Sequence, residues 1–304
     1  VRNDLVHLEA FLTRQVEAQW KPRLMAAERS LRDLPVETAE AWIEAMRPMA
    51  FYLVALDLAH RMAGDGRPLC RPTRDRQAFR FAQMHSPHLI LQGRPSVPYT
   101  HRMDAPSLAL VTGANHAGKT TFLKTLAQNC LLAQMGFLVP AKAFAFPFSR
   151  SMHAVFAAGE SAGLDRSRFE QEVLALREAI RLADPDALLW LNEPFTSTNP
   201  AEAADMLADA LKVVRQKGAS LCCVTHLYEV YDRLSEAAVP VQSLVVEREE
   251  GPNGLSFRLE DKAPDGISYA RAVAEAFGVN AERYVEDPEL LGSIRAFLRK
   301  GALS

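Results

Sequence analysis

Residues 113–120 read Gly-Ala-Asn-His-Ala-Gly-Lys-Thr, and this stretch decides the fold expected for the chain. It follows the apolar run of residues 108–111 and leads into a helical pattern. Its spacing fits G-x-x-x-x-G-K-[ST], a loop that turns successive backbone N–H groups inward around a polyphosphate. In such a loop Lys119 reaches the outer phosphates, the hydroxyl of Thr120 is available to Mg²⁺, and the following helix adds its positive end. The stretch predicts a nucleotide site, with a plain glycine-bearing turn as the alternative.

The composition indicates a globular chain without a strong electrostatic preference. It has 304 residues, of which 48% are hydrophobic, which suffices for one large α/β domain and an appendage. A formal net charge of −2 gives no overall attraction to nucleic acid or membrane. The four cysteines show no metal-ligand spacing, and no apolar run approaches the length of a membrane span. We expect a cytoplasmic chain away from the membrane. Because it starts with Val1, it could be a piece of something longer.

Two amphipathic helices are predicted first, one within residues 1–34 and one over 36–62, and both are expected to pack onto the following domain. From about residue 86, short apolar runs alternate with helical patterns, which predicts an α/β fold with a mostly parallel central sheet flanked by helices. We therefore expect a helical segment over 1–85 and a nucleotide-binding domain over 86–304. The predicted strands are 89–91, 108–112, 137–139, 153–156, 187–191, 220–225, 243–247 and 255–260, and the later helices are 120–135, 166–183, 201–216 and 267–277.

Two polar motifs follow buried runs further along the chain. Asn192 and Glu193 come directly after the run ending at residue 191, and a carboxylate at such a strand tip could orient or deprotonate an attacking water. His226 follows another apolar run, where an imidazole could sense or polarise a γ-phosphate. In parallel α/β sheets the ligand lies at the carboxyl ends of the strands. Glu193 as a solvated strand end and His226 as a packing or capping residue are the alternatives.

Several motifs in order resemble the ATPase domain of the MutS family, an ABC-type P-loop ATPase involved in DNA mismatch repair. The similarity covers about residues 50–285. The segments that carry it are Leu110–Gln128, similar to the family's phosphate loop and helix; Gly136–Ala141, similar to G-x-x-V-P-A; Ser167–Glu172, similar to S-T-F-x-x-E; Asn192–Thr198, similar to the acidic motif; Thr225–Val230, similar to T-H-Y-x-E-L; and Ser268–Ala274, similar to S-Y-G-x-x-V-A. The resemblance implies a P-loop NTPase fold of the ABC and MutS type over 86–304.

The resemblance also implies roles for individual residues. ATP and Mg²⁺ are the expected cofactors, with Glu193, His226 and Lys119 as catalytic residues. Tyr99 is expected to stack on adenine, and Ser167 to meet the ATP of a partner subunit in a homodimer. Thr120 and Asn192 are the expected magnesium ligands, with direct or water-mediated contact left open. The residues expected to contact ATP are Gly113, Ala114, Asn115, His116, Ala117, Gly118, Lys119, Thr120 and Thr121.

One departure from the family pattern bears on activity. The family has Asp where this chain has Asn192, and a neutral amide holds Mg²⁺ less well, so slow hydrolysis is expected. The favoured function is an ATP-dependent dimer switch coupled to DNA binding or repair, with DNA implied by the resemblance alone. The alternatives are an ABC-type ATPase of another machine and a nucleotide-gated interaction module with weak turnover.

Overall fold

The computed structural model describes residues 21–31, 36–105, 108–113, 117–156, 167–251 and 254–264, all within one compact unit. The helices are α1 (Lys21–Leu31), α2 (Val36–Met62), α3 (Pro87–Leu91), α4 (Lys119–Gln134), α5 (Arg168–Leu182), α6 (Pro200–Gln216) and α7 (Glu229–Glu236), with a 3₁₀ turn at Gly64–Gly66. The strands are β1 (Thr73–Arg74), β2 (Ala78–Met84), β3 (Tyr99–Asp104), β4 (Leu108–Thr112), β5 (Ala143–Phe146), β6 (Ser151–Phe156), β7 (Ala187–Asn192), β8 (Ser220–Val224), β9 (Gln242–Gly251) and β10 (Gly254–Asp261). The fold is of the predicted α/β class.

A six-stranded sheet forms the centre of the unit. Its order is β10-β9-β4-β8-β7-β6, and every neighbouring pair is parallel except β9 with β10. All five residues of β4 and all five of β8 are buried. Parallel strands covered on both faces read as continuous apolar runs. For that reason the sequence located β4, β7 and β8 to within one residue.

Helices cover one face of this sheet. Leu176 of α5, Leu207 of α6 and Leu234 of α7 join Leu189 and Leu221 of the sheet in one buried cluster. Fully burying a leucine side chain stabilises the fold by about 1.5–3 kcal/mol. These three helices are therefore fixed to the sheet, and their starting residues are held close to its carboxyl edge.

The opposite face is covered by α4 and a second sheet. That sheet has the order β1-β5-β2-β3, with only β1 and β5 parallel. The Trp190 ring of β7 lies 6.3 Å from the ring of Phe79 in β2, and Phe122 of α4 lies 6.1 Å from Phe81. Side chains alternate between the two faces of β7, so both layers bury part of the same strand.

The region before β4 differs most from the sequence prediction. The strand predicted over 89–91 is wrong, because these residues belong to helix α3: the hydroxyl of Ser86 accepts the Leu89 N–H and Pro87 occupies the first turn. At 137–139 the structure has only an isolated bridge between Cys70 and Val139. Strands β1 and β2 lie before residue 86, in a stretch predicted to be helical. The domain boundary itself stays a prediction.

The predicted N-terminal helices are described in part. Helix α2 has the predicted bounds, and Leu58 and Met62 are buried, whereas Trp42 and Met49 on the expected packing face are 56% and 58% exposed. Helix α1 covers residues 21–31 of the predicted first helix, whose remainder lies outside the described residues. So does the helix predicted over 267–277. Among the described residues, every helix is too short or too polar to cross a membrane.

Candidate functional site

Gly113 follows β4 directly and lies against the backbone of β9. Its φ is +133°, and a Cβ there would lie 2.6 Å from the carbonyl oxygen of Val246 and 3.2 Å from its nitrogen. A backbone neighbour cannot move aside as a flexible side chain can, so glycine is required both by conformation and by close approach. The first glycine of the loop therefore also serves the packing of the sheet.

The second glycine starts the helix. Gly118 adopts the left-handed conformation, with φ +88° and ψ 11°, and is the N-cap of α4 without a side-chain cap. The first turn of α4 contains no acidic residue. The N–H groups at the start of a helix carry partial positive charge and favour an anion. Thr120 and Thr121 are half-buried in this turn, whereas the predicted contacts Ala114, Asn115 and His116 lie outside the described residues.

The side chain of Lys119 reaches back from the start of α4 to the first residue of the loop, Gly113. The side chain is 4% exposed, and its Nζ donates to the carbonyl oxygen of Gly113 at 2.8 Å. Burial lowers the pKa of Lys119, and the negative charge of Glu193 opposes that decrease. The ammonium of Lys119 thus lies inside the loop, and its expected contact with the outer phosphates of a nucleotide stays a prediction. Ala117, two residues earlier, is buried.

Asn192 is the last residue of β7, and Glu193 follows it at the same carboxyl edge of the sheet. The Glu193 N–H donates to the carbonyl oxygen of Val224 in β8 at 2.8 Å, which fixes the backbone just beyond β7. Glu193 has a φ of 48°, in the left-handed region that a residue with a side chain rarely adopts. Asn192 is half-buried, and its Oδ1 has no hydrogen-bond partner among the described residues.

Thr225 and His226 continue β8, which lies between β4 and β7. The Thr225 N–H donates to the carbonyl oxygen of Val111 at 3.1 Å, so β8 is tied to β4 as well as to β7. Thr225 is buried, and the side chain of His226 is exposed. The order of the sheet thus brings Gly113, Glu193 and His226 to one edge, although they are far apart in sequence.

Two buried polar atoms at this edge bear on the fit to ATP and Mg²⁺. The hydroxyl of Thr112 and the Oδ1 of Asn192 lack partners among the described residues, and such atoms in native structures call for a water, an ion or a ligand. The described residues contain no cluster of three or more His, Cys, Asp or Glu that could hold a metal. In a phosphate loop the hydroxyl of the Ser or Thr after the lysine holds Mg²⁺, which also binds the phosphates and keeps several waters. The residues present therefore fit a magnesium nucleotide.

Tyr99, which was predicted to stack on adenine, lies in the core rather than at the carboxyl edge of the central sheet. Tyr99 is 3% exposed, and its ring packs edge-on against Phe122 at 5.2 Å, so neither face of the ring is open to a base. Burial raises the pKa of Tyr99. Stacking of adenine on Tyr99 disagrees with this packing, because β3 turns the ring into the core.

Ser167 is exposed at the start of α5 and forms a capping box with Glu170. Its hydroxyl accepts the Glu170 N–H at 3.2 Å, and its own N–H donates to Glu170 Oε2 at 2.8 Å. This S-x-x-E pattern fixes the helix start. The expected contact of Ser167 with a partner's ATP stays a prediction, and the capping role is an additional one that the sequence analysis missed.

A contact between two of the quoted motifs, Ser167–Glu172 and Asn192–Thr198, was not predicted. Glu172 is buried on α5 and accepts hydrogen bonds from the hydroxyls of Thr196 and Ser197, which follow the acidic motif. The available signal was the acidic residue five positions after Ser167, combined with two adjacent hydroxyl residues behind Glu193. The pairing itself depends on how α5 lies against the sheet and cannot be read from spacing.

A separate cleft of about 640 Å³ opens at the amino ends of β6, β7 and β8, away from the candidate site. Its lining includes Arg74, Arg76, Arg150 and Asp186, with the last two paired at 3.3 Å. None of the predicted site residues lines this cleft.

Comparison with known proteins agrees with the resemblance seen in the sequence. Residues 109–290 match the family described as MutS domain V, which covers more than half of the chain. The chain therefore belongs to the MutS family, and that prediction is confirmed.

Individual relatives show how far the similarity extends. The DNA mismatch repair protein MutS of Thermus thermophilus is 29% identical over 303 residues, covering 99% of this chain and 35% of that protein. MutS of Caulobacter vibrioides is 29% identical over 296 residues, covering 89% of this chain and 32% of that protein. An endonuclease MutS2 from an Anaeromyxobacter species is 31% identical over 154 residues, covering 50% of this chain and 19% of that protein. The chain spans about a third or less of the length of these relatives.

Proposed function

We propose that this chain is a MutS-type module of the P-loop NTPase class that binds ATP with Mg²⁺ and hydrolyses it slowly. The observation that carries the proposal is the meeting of three strand ends at one edge of the parallel sheet. Strand β4 leads to Gly113 and the buried Lys119, β7 leads to Glu193, and β8 leads to His226. Ligands of open α/β sheets bind at this edge.

Each group has a defined task in this proposal. The loop residues 113–121 would hold the phosphates with backbone N–H groups and Lys119, and Thr120 and Asn192 would hold Mg²⁺. When bound, Mg²⁺ neutralises charge that develops on the phosphoryl oxygens. Glu193 would orient a water or take its proton, and His226 would donate toward the γ-phosphate. Most of the catalysis would come from positioning and electrostatics.

Asn192 decides between turnover and a nucleotide-gated module, which is the second candidate function. The Asn192→Asp variant supplies a carboxylate next to Glu193, where a charged oxygen ligand binds Mg²⁺ more tightly than an amide does. We expect the wild-type chain to hydrolyse ATP slowly and Asn192→Asp to be about 10-fold faster at limiting Mg²⁺, an order of magnitude for one improved charge contact. A phosphate-release assay measures both rates, with Asn199→Asp as the control.

The outcomes separate the two functions. If both chains bind ATP and only Asn192→Asp hydrolyses it, the module function is correct. Equal rates in the two chains would mean that the residue at this position does not limit magnesium use.

We also propose that ATP favours a homodimer in which Ser167 of each subunit completes the partner's site, and that hydrolysis releases it. DNA binding enters the proposal through kinship, because two of the relatives named above, those of Thermus thermophilus and Caulobacter vibrioides, are DNA mismatch repair proteins. Movement of the subunits would then pass to bound DNA through the N-terminal helices. If ATP binds the dimer more tightly than the monomer, its binding shifts the two subunits toward the dimeric arrangement.

The Ser167→Asn variant tests the dimer. Asparagine is as good an N-cap as serine, so α5 should stay intact while the hydroxyl offered to the partner's nucleotide is lost. In sedimentation velocity we expect ATP to shift the wild-type chain and the control Ser235→Asn toward dimer, and to leave Ser167→Asn mostly monomeric. The same runs with labelled duplex DNA report whether the dimer carries DNA. Unchanged sedimentation of the wild-type chain in ATP would contradict the switch.

A further inference from the structure

The carboxylate of Glu172 joins helix α5 to the loop that carries Glu193. Glu172 is 7% exposed, and its two oxygens accept from the hydroxyl of Thr196 at 3.2 Å and from the hydroxyl of Ser197 at 3.1 Å. Hydrogen bonds to a charged acceptor are stronger than neutral ones, and breaking them inside the protein removes part of what offsets the buried charge. The loop is therefore held at two adjacent residues.

Two further contacts join the same helix turn to the same loop. Arg168 lies 3.5 Å from Glu172 through its Nε and donates to the hydroxyl of Thr196 at 3.4 Å. The rings of Phe169 and Phe195 lie 6.0 Å apart, and Phe195 is 4% exposed. Polar and apolar contacts thus connect the first turns of α5 to the loop.

The loop needs these contacts because its backbone is strained. Glu193 and Phe195 have φ values of 48° and 62°, and neither is a glycine. A residue with a side chain held in the left-handed region is strained and persists there only when its surroundings determine it. The conformation that sets the direction of Glu193 is therefore supported from α5.

We propose that Glu172 is a positioning residue that holds Glu193 in its working orientation and links it to Ser167. Ser167 caps the same helix, little more than one turn from Glu172. In the proposed dimer, contact between Ser167 and the partner's ATP would fix the start of α5, and Glu172 would pass that constraint to the loop of its own site. This inference rests on the ATPase function proposed above and assigns the residue that couples the two sites of a dimer.

The test removes the two acceptor oxygens and then restores one. Glu172→Met keeps the length of the side chain without its oxygens, and we expect kcat for ATP to fall about 10- to 100-fold with KM nearly unchanged, as for a misplaced catalytic group. Glu172→Gln keeps one acceptor and adds an amide donor for the other hydroxyl, so it should recover most of the rate. Glu178→Met, on an exposed position of the same helix, is the matched control. Both the wild-type and the Asn192→Asp backgrounds are assayed.

A second measurement separates positioning from simple support of the fold. The double variant of Glu172→Met with Ser197→Ala should lose little more rate than Glu172→Met alone, because both changes break the same contact. Urea unfolding, with rates referred to folded protein, removes any contribution from stability. If Glu172→Met hydrolyses ATP at the rate of Glu178→Met, the coupling is wrong while the ATPase function stands. If neither background binds or hydrolyses ATP, the proposed function fails, and this inference fails with it.

Discussion

Replacing Glu193 with glutamine is expected to lower kcat for ATP hydrolysis by about 10²–10⁴-fold, the contribution of a positioned general base. The amide has nearly the shape of the carboxylate but cannot take a proton from water. Because the Glu193 N–H is held by Val224 at 2.8 Å, the loop should keep its place in the variant. ATP affinity should change little, since the phosphates are assigned to residues 113–121. Single-turnover hydrolysis measured with excess protein gives the chemical step directly.

The control for this prediction is Glu236→Gln, an exposed glutamate at the end of α7. It removes the same charge from the chain without touching the site and should leave the rate unchanged. If Glu193→Gln also retains the wild-type rate while ATP is hydrolysed, the base is another group. The assignment of Glu193 would then be wrong.

Replacing Lys119 with methionine is expected to weaken ATP binding by about 30-fold or more, since truncating one partner of a buried charge pair costs about 2–5 kcal/mol. Methionine fills much of the same volume, and it removes the cost of burying an ammonium. The expected loss is therefore in affinity rather than in folding. Competition with a fluorescent ATP analogue measures the affinity, and Lys142→Met at an exposed position is the control.

The pH dependence of binding adds a second readout for Lys119. Burial lowers the pKa of Lys119 in the free chain, and phosphates should raise it again in the complex. Only the ammonium form pairs with phosphate, so affinity should fall as pH rises through the lowered pKa, below the ordinary value of 10.5. Lys119→Met should lack this decrease. A wild-type decrease that persists in Lys119→Met would assign the titration to another group.

The sequence was informative where one local pattern specified one structure. Strands β4, β7 and β8 are buried on both faces, so their apolar runs could be located to within one residue. The glycine of residue 113 could be predicted as a loop residue, but its approach to Val246 could not, because β9 lies more than 100 residues away in the chain. Contacts between distant strands depend on sheet order, which no single run of residues encodes.

The strands and helices before β4 were harder to predict, because sequence signals for strand and for helix lie close together there. Residues 78–84 form strand β2, which was not predicted, whereas the apolar run at 89–91 was predicted as a strand although Ser86 and Pro87 before it mark a helix start. Tyr99 was chosen as an aromatic platform by its position in the chain. In the structure the Tyr99 side chain points into the core, because successive side chains along β3 point to opposite faces of the sheet.

In the candidate site, too, local motifs could be predicted and contacts between distant elements could not. Lys119, Glu193 and His226 could be named from motifs, because each follows a recognisable strand or glycine. The supporting role of Glu172 could not, since its partners Thr196 and Ser197 are reached only after α5 folds against the sheet. Side chains that support a site from another element carry little local signal.

The binding of ATP at residues 113–121 is measured most directly by calorimetric titration of ATP into the wild-type chain, with and without Mg²⁺. We predict saturable binding of one ATP per chain, weaker when Mg²⁺ is removed and lost over the same concentration range in Lys119→Met. An absence of saturable binding at millimolar ATP, or equal binding by Lys119→Met, would contradict the assignment of this loop as the nucleotide site.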